Sequence, residues 1–308
     1  VSSVVAAFLL GAFLIAGCTA PPRPRAHRPA PGPARETSTT TRSGTITTGD
    51  LGPAPGSKGK ARVWLLTLQV LDHLEAVPTD REALSGSVVY ALSAKGLAPT
   101  VATPGVDVVR TMVFTSAAKL SRDLASGLIP TGVRAVLYDN EDWSLTPPSE
   151  RANPVVAYEE AARLAHEHGL FVVATPGWLP GYRGVPTPGV VARPSVTAIL
   201  PAIAPDVDVV DIQAQELRFE SSPSAYLAWV APLAEAVRKA KSSVVVVSGL
   251  STNPLGGLAS ASQLLAVARA SEGVVRGWWL NVPPPGPHRA GPPRYGVAEA
   301  FVSALGPG

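Results

Sequence analysis

The 308-residue sequence has one cysteine, Cys18, and five histidines. A single cysteine excludes an internal disulfide and any cysteine-based zinc site. The histidines (His27, His73, His166, His168 and His288) follow no metal-ligand spacing. His166 and His168 fall near the end of an expected helix on different faces, where they complement the helix dipole. No glycine-rich phosphate loop follows an apolar run. Gly56-Ser57-Lys58-Gly59-Lys60 precedes the first of them, so a nucleotide-binding fold is disfavoured. Ser248-Gly249 lacks the Gly-x-Ser-x-Gly pattern of a serine-hydrolase elbow. No motif implies a cofactor or a metal.

Charge is missing from residues 1–17, which are mostly Val, Ala, Leu, Phe and Ile. That run ends in Ile15-Ala16-Gly17-Cys18, the shape of a signal-peptide core and its cleavage site. About 17–18 apolar residues are also just enough for an uncleaved membrane anchor. The Ile-Ala-Gly-Cys sequence resembles the lipobox of bacterial lipoproteins. The resemblance implies that Cys18 is the lipidation site and that the rest of the chain lies outside the cytoplasm.

Residues 18–60 are poor in large apolar side chains and rich in Pro, Thr, Ser and Gly. Such a segment is expected to be a disordered linker, because it cannot bury enough surface to offset its ordering entropy. It also explains the basic sequence pI. Between residues 19 and 62 lie eight Lys or Arg (Arg23, Arg25, Arg28, Arg35, Arg42, Lys58, Lys60, Arg62) against Glu36 and Asp50. The remaining chain carries more acids than bases. A mildly acidic domain excludes nucleic acid as a natural partner, whereas a basic tether suits an anionic membrane surface.

Residues 61–308 have the size and pattern of a single (β/α)8 TIM-barrel-like domain of the α/β class. Short apolar runs alternate with helical stretches at Val63–Gln69, Val106–Thr115, Val133–Asp139, Leu170–Thr175, Val207–Gln213, Val244–Gly249 and Val274–Asn281. Continuous apolar runs suit parallel strands buried on both faces. An eighth strand is expected at Ser87–Leu92, although Asp80–Lys95 also reads as helical. The second architecture consistent with the pattern is an open doubly wound sheet. Asn153-Pro154, Ser222-Pro223 and Ser116 mark helix starts, and Gly127 and Gly169 mark helix ends.

A parallel barrel gathers functional groups at the C-terminal ends of its strands. There the sequence turns polar repeatedly: Gln69, then Tyr138-Asp139-Asn140-Glu141-Asp142-Trp143, then Thr175 with Trp178, then Asp211-Ile212-Gln213-Ala214-Gln215-Glu216, then Asn253, and finally Trp278-Trp279-Leu280-Asn281. Each taken singly also fits a strand giving way to a loop. Asp139 and Glu141 share a strand face about 6.5–7 Å apart. Their repulsion would raise one pKa, as a general acid requires. A two-carboxylate glycosidase needs an acid on each side of the scissile bond, so Glu216, or else Asp211, is the expected partner of Glu141. Gln69, Gln213, Gln215, Asn253 and Asn281 are candidate hydrogen-bonders of sugar hydroxyls. Tyr138, Trp143, Trp178, Tyr182 and Trp279 are candidate substrate contacts or stacking platforms, although adjacent strand residues face opposite sides, so one of Trp278 and Trp279 belongs to the core.

The strand ending Asp-x-Glu, with a Trp on the last strand, resembles the catalytic strand of family 18 chitinases. The resemblance implies Glu141 as general acid, Asp139 as the residue orienting a substrate N-acetyl group, and Trp278 or Trp279 as the floor of the sugar site. Arg134 and Leu137 stand where that family carries two further Asp, and its later tyrosine is absent from Asp211–Gln215. The chain is also similar to secreted actinobacterial proteins with the same Asp-x-Glu-Asp-Trp and Gln-Ala-Gln strands, a likeness that brings no activity with it. The expectation is thus a monomeric, lipid-anchored, glycoside-hydrolase-like barrel acting on a poly- or oligosaccharide. The competing class is a carbohydrate- or cell-wall-binding lipoprotein on a degenerate barrel.

Overall fold

The computed structural model describes residues 51–100, 104–141, 143–177, 195–284 and 291–308. Cys18 and the apolar run, most of the linker, Asp142, Trp178 and Tyr182 lie outside the described residues. No helix among the described residues is long and apolar enough to cross a membrane.

Eight parallel strands close into a barrel in chain order. They are β1 (Val63–Thr67), β2 (Val88–Ser93), β3 (Asp107–Phe114), β4 (Ala135–Tyr138), β5 (Phe171–Ala174), β6 (Val209–Ile212), β7 (Val245–Ser251) and β8 (Gly277–Asn281). The open sheet is therefore excluded, and the ambiguous eighth strand is β2. The preceding helix stops at Leu84, so the helical alternative for Asp80–Lys95 is overturned. Helices follow every strand except β2, after which none occurs among the described residues.

Strand alternation divides the apolar side chains into two cores. In β1, Trp64 and Leu66 face the helices, while Val63 and Leu65 face the barrel axis. The outer core also holds Tyr138, Tyr158, Tyr226, Trp278 and Phe301; the inner one holds Tyr90, Leu137, Val173, Val247 and Trp279. Closure depends on Gly277, paired with Val63 across the β1–β8 seam. A Cβ there would lie 1.8 Å from the Val63 carbonyl oxygen.

Local chemistry fixes the strand ends. β1 stops at Thr67 rather than Gln69, because the Thr67 hydroxyl accepts the Val70 amide at 3.3 Å and starts α1 (Leu68–Ala76). Ser116 caps α3 (Ala117–Ala125) through the Lys119 amide, and Ser222 caps α8 (Pro223–Ala240) through that of Ala225. Asn153 precedes Pro154 at the start of α5 (Pro154–Glu167) but makes no side-chain cap. His168 Nδ1 lies 2.9 Å from the Leu164 carbonyl in the last turn of α5, whereas His166 meets Asp208 at 2.9 Å. Residues 54–59, read as linker from sequence, lie against the N-terminal end of the barrel. Ala54 is buried there, Pro55 accepts the Tyr90 hydroxyl at 3.0 Å, and Gly59 accepts Arg276 at 2.5 Å.

Candidate active site

The interior of the barrel is apolar at its base and polar at its C-terminal end. Beyond β4 the chain stays extended: Asp139 N–H donates to Phe114, and Glu141 forms an isolated bridge with Gly177. Asp139 and Glu141 therefore share the inward face, as period two requires. The Glu141 carboxyl lies close enough to Asp139 to act on its ionisation. Thr175 Oγ1 donates to Asp139 Oδ1 at 2.9 Å, and Gln213 Nε2 donates to Glu141 Oε1 at 2.9 Å. The Asp139 pKa is pushed up to about 7. The dominant cause is burial, opposed by the Thr175 and Glu141 hydrogen bonds, not the mutual repulsion expected from the sequence.

Space for Glu141 is made across the β4–β5 junction. A Cβ on Gly177 would lie 2.3 Å from both Cγ and Cδ of Glu141. A glycine is thus required opposite the acid.

Asp211, from β6, is the second strand's contribution. It is fully buried, neither side-chain oxygen has a hydrogen-bond partner, and its pKa is raised by burial and then by the charge of Asp139. Three donors in the same inward register are likewise buried and unpartnered: Gln215 Nε2, Trp279 Nε1 and Asn281 Nδ2. Buried polar atoms are normally paired, because each orphan costs about 1–3 kcal/mol. Four such residues, Asp211 among them, line one end of the barrel with unpaired polar groups. Asn253 is buried at the end of β7, its amide N–H donating to Ser251 Oγ at 3.2 Å. Among the described residues no group of three or more His, Cys, Asp or Glu is arranged to hold a metal ion.

Several expected residues lie elsewhere. Glu216 turns to Arg218, with Nε 2.7 Å from its carboxylate, and burial raises its pKa; the acid that senses Asp139 is Asp211, not Glu216. Tyr138 faces the helices, because β4 alternates. Its hydroxyl donates to Glu150 at 2.7 Å and accepts from Asn140 at 3.0 Å. Glu150 in turn accepts the Ala117 amide at the start of α3, at 2.9 Å. Tyr138 is therefore a brace between sheet and helix, not a substrate contact. Trp143 is buried, with its indole N–H donating to Thr146 Oγ1 at 2.8 Å and its carbonyl held by Arg151 at 2.8 Å. It locks the loop beneath Glu141 instead of offering a stacking face. Gln69 is exposed in the first turn of α1. Trp278 faces outward, with its N–H donating to Ser271 at 3.1 Å, and Trp279 faces the axis. Thr175 and Gly177 were not singled out as site residues by the sequence; their signal is position, directly beyond a buried strand next to the acidic one.

No protein-family profile matches the chain, and no curated protein matches it. Solved structures similar in backbone include the carboxyl transferase domain of Rhizobium etli pyruvate carboxylase, at 11% identity and a TM-score of 0.44, covering 82% of this chain and 50% of that one. This chain thus spans about half the length of those carboxyl transferase chains. A GH128 (subgroup II) endo-beta-1,3-glucanase from Sorangium cellulosum is 15% identical, with a TM-score of 0.40 over 79% of this chain and 98% of that one. A fructose-1,6-bisphosphate aldolase homologue from Coccidioides immitis is 10% identical, with a TM-score of 0.41 over 72% and 73%. Similarities at this level leave the chemistry to be argued from the residues themselves.

Proposed function

We propose that the chain is an extracytoplasmic, lipid-anchored barrel that hydrolyses glycosidic bonds of a poly- or oligosaccharide, with Glu141 as general acid. The observation that carries this reading is the polar end of the barrel. The buried carboxyls of Asp139 and Glu141, just beyond β4, face a third acid, Asp211, from β6, beside unpartnered Gln215, Trp279 and Asn281. Protonated Glu141 would supply the proton that a leaving glycosidic oxygen needs. Asp211 replaces Glu216 as the acid from another strand, and Gln213 orients Glu141. If the substrate carries an N-acetyl group, Asp139 is placed to orient it. Lipidation of Cys18 would hold this site outside the membrane, where such polymers occur.

The test is a screen of cell-wall and plant polysaccharides with the parent protein and Glu141→Gln. Losing the general acid lowers turnover about 10²–10⁴-fold; equal activity in the two proteins removes Glu141 from catalysis. One observation favours the second reading, carbohydrate binding without turnover. Asp139, Glu141 and Asp211 are each 1% exposed or less, so a polymer must displace neighbouring groups to reach them. Saturable binding of a polysaccharide with no released sugar in the parent protein decides for that reading.

A further inference from the structure

A cavity of about 490 Å³ opens at the N-terminal end of the barrel, opposite the carboxyl cluster. Its charged lining is lopsided: Lys60, Arg62, Arg238 and Arg276 against Glu272 alone. Glu272 is committed to Arg62 at 3.5 Å. Among the described residues no carboxylate comes within ion-pairing distance of Lys60, Arg238 or Arg276, and Gly308, which also reaches the cavity, pairs with none of them.

The guanidinium groups are held, not loose. Arg62 donates to the Gly306 carbonyl at 2.5 Å, Arg276 to that of Gly59 at 2.5 Å, and Arg238 to that of Val274. At Arg238 and Arg276 the bond uses one N–H of five and leaves the rest of the fork available. The Ser57 hydroxyl, on the same wall, is buried and has no hydrogen-bond partner. Burial and the nearby Arg276 charge both act against the charge on Arg238. Two like charges fixed side by side without a counter-ion are costly, and a bound dianion removes that cost.

We propose that this cavity is a binding site for a phosphate group, taken either from a phospholipid headgroup or from a soluble phosphate ester. Arg238 and Arg276 contact the phosphate oxygens, Lys60 and Arg62 add charge, and the Ser57 hydroxyl donates one hydrogen bond. The site is independent of the carboxyl cluster. Residues 54–59 form part of its surroundings, so the chain emerging toward the linker leaves the barrel beside it. A phosphate-bearing surface docked here leaves the carboxyl end of the barrel facing away from that surface.

The experiment uses the full chain. Inorganic phosphate and glycerol 3-phosphate are titrated by calorimetry into the parent protein, into Arg238→Gln/Arg276→Gln, and into Arg238→Lys/Arg276→Lys. Saturable binding is expected in the parent, weakened about tenfold or more in the Gln pair and largely kept in the Lys pair. The Gln pair removes a repulsion but also the bonds to Val274 and Gly59, so its fold is checked by thermal melting; should it fail to fold, Lys60→Gln, an exposed change, takes its place with a several-fold loss. Flotation with equimolar phosphatidylglycerol–phosphatidylcholine vesicles separates the two sources. Weaker flotation of the Gln pair than of the parent assigns the lipid headgroup, and unchanged flotation with weakened phosphate binding assigns the soluble ester. No phosphate binding by the parent at millimolar concentration, or equal binding by parent and Gln pair, overturns the proposal.

Discussion

Replacing Gly177 with alanine puts the geometry of the carboxyl cluster to its hardest test. The backbone there is not in the left-handed region, so alanine meets no conformational penalty. The conflict is with one side chain: the new methyl would sit 2.3 Å from Cγ and Cδ of Glu141 and 2.6 Å from its Oε1. Glu141 must swing away, which breaks the 2.9 Å bond from Gln213 and the contact with Asp139. At 1% exposure no solvent is at hand to replace them. Overpacking and stranded polar groups together cost about 2–5 kcal/mol. For a domain of this size that is a fall in Tm of roughly 4–20 °C. Gly296, in α10 (Tyr295–Leu305), is the internal control. Nothing lies within 4 Å of its added Cβ, so alanine there should raise stability by about 0.5–1 kcal/mol. Thermal melts of both variants, with the polysaccharide screen on each, decide the matter. Gly177→Ala that melts with the parent and keeps its saccharide response would show that Glu141 does not occupy the position described.

Other outcomes follow from the same contacts. Asp139 holds its proton to about pH 7 when folded, while its unfolded carboxyl loses it near the ordinary value of 3.8. Between those limits the native state binds the extra proton, so this residue makes stability fall as pH rises from about 4 to 7 and level off above. Urea unfolding of parent and Asp139→Asn should show a shallower slope in the variant, the remainder coming from other buried acids such as Asp211; parallel curves would refute it. Tyr138→Phe should cost about 1–2 kcal/mol through the lost Glu150 and Asn140 bonds and leave saccharide binding unchanged. A selective loss of binding would return Tyr138 to the site. Trp279→Phe deletes a buried N–H that has no partner, so saccharide affinity should drop in titration by more than the cavity cost to stability explains; unchanged affinity would remove the indole from the site. Ser260→Ala breaks a capping box at the start of the helix Ala261–Ser271 and should lower Tm by an amount equivalent to about 1 kcal/mol.

How legible the site was depends on which physical rule governs each residue. Period-two alternation is local, and it put Asp139 and Glu141 on one face and Trp278 and Trp279 on opposite ones; that Trp279 is the inward one came from the structure. Tyr138 was legible by the same rule, since it precedes Asp139, yet it was taken for a substrate contact because it is polar-tipped and near the acids. Its hydroxyl is satisfied by Glu150, twelve residues on, through a loop whose course the sequence does not specify. Glu216 failed differently. Past Ile212 the strand ends and a bridge to Leu255 takes over, so the alternation that serves Gln213 and Gln215 no longer predicts an ion pair with Arg218.

The sequence by itself indicated the barrel. Seven apolar runs of strand length separated by helical stretches pointed to it, while closure and the eighth strand, Val88–Ser93, came from the tertiary structure. It also determined that the polar residues collect at one end, because chain direction is the same in every strand of a parallel barrel. Only the tertiary structure decided which acids meet. Asp139 and Asp211 stand 72 positions apart in the sequence, and their encounter depends on closure, register and the room left by Gly177. The same holds at the opposite end, where Lys60, Arg62, Arg238 and Arg276 converge because three separate segments return to the base of one barrel.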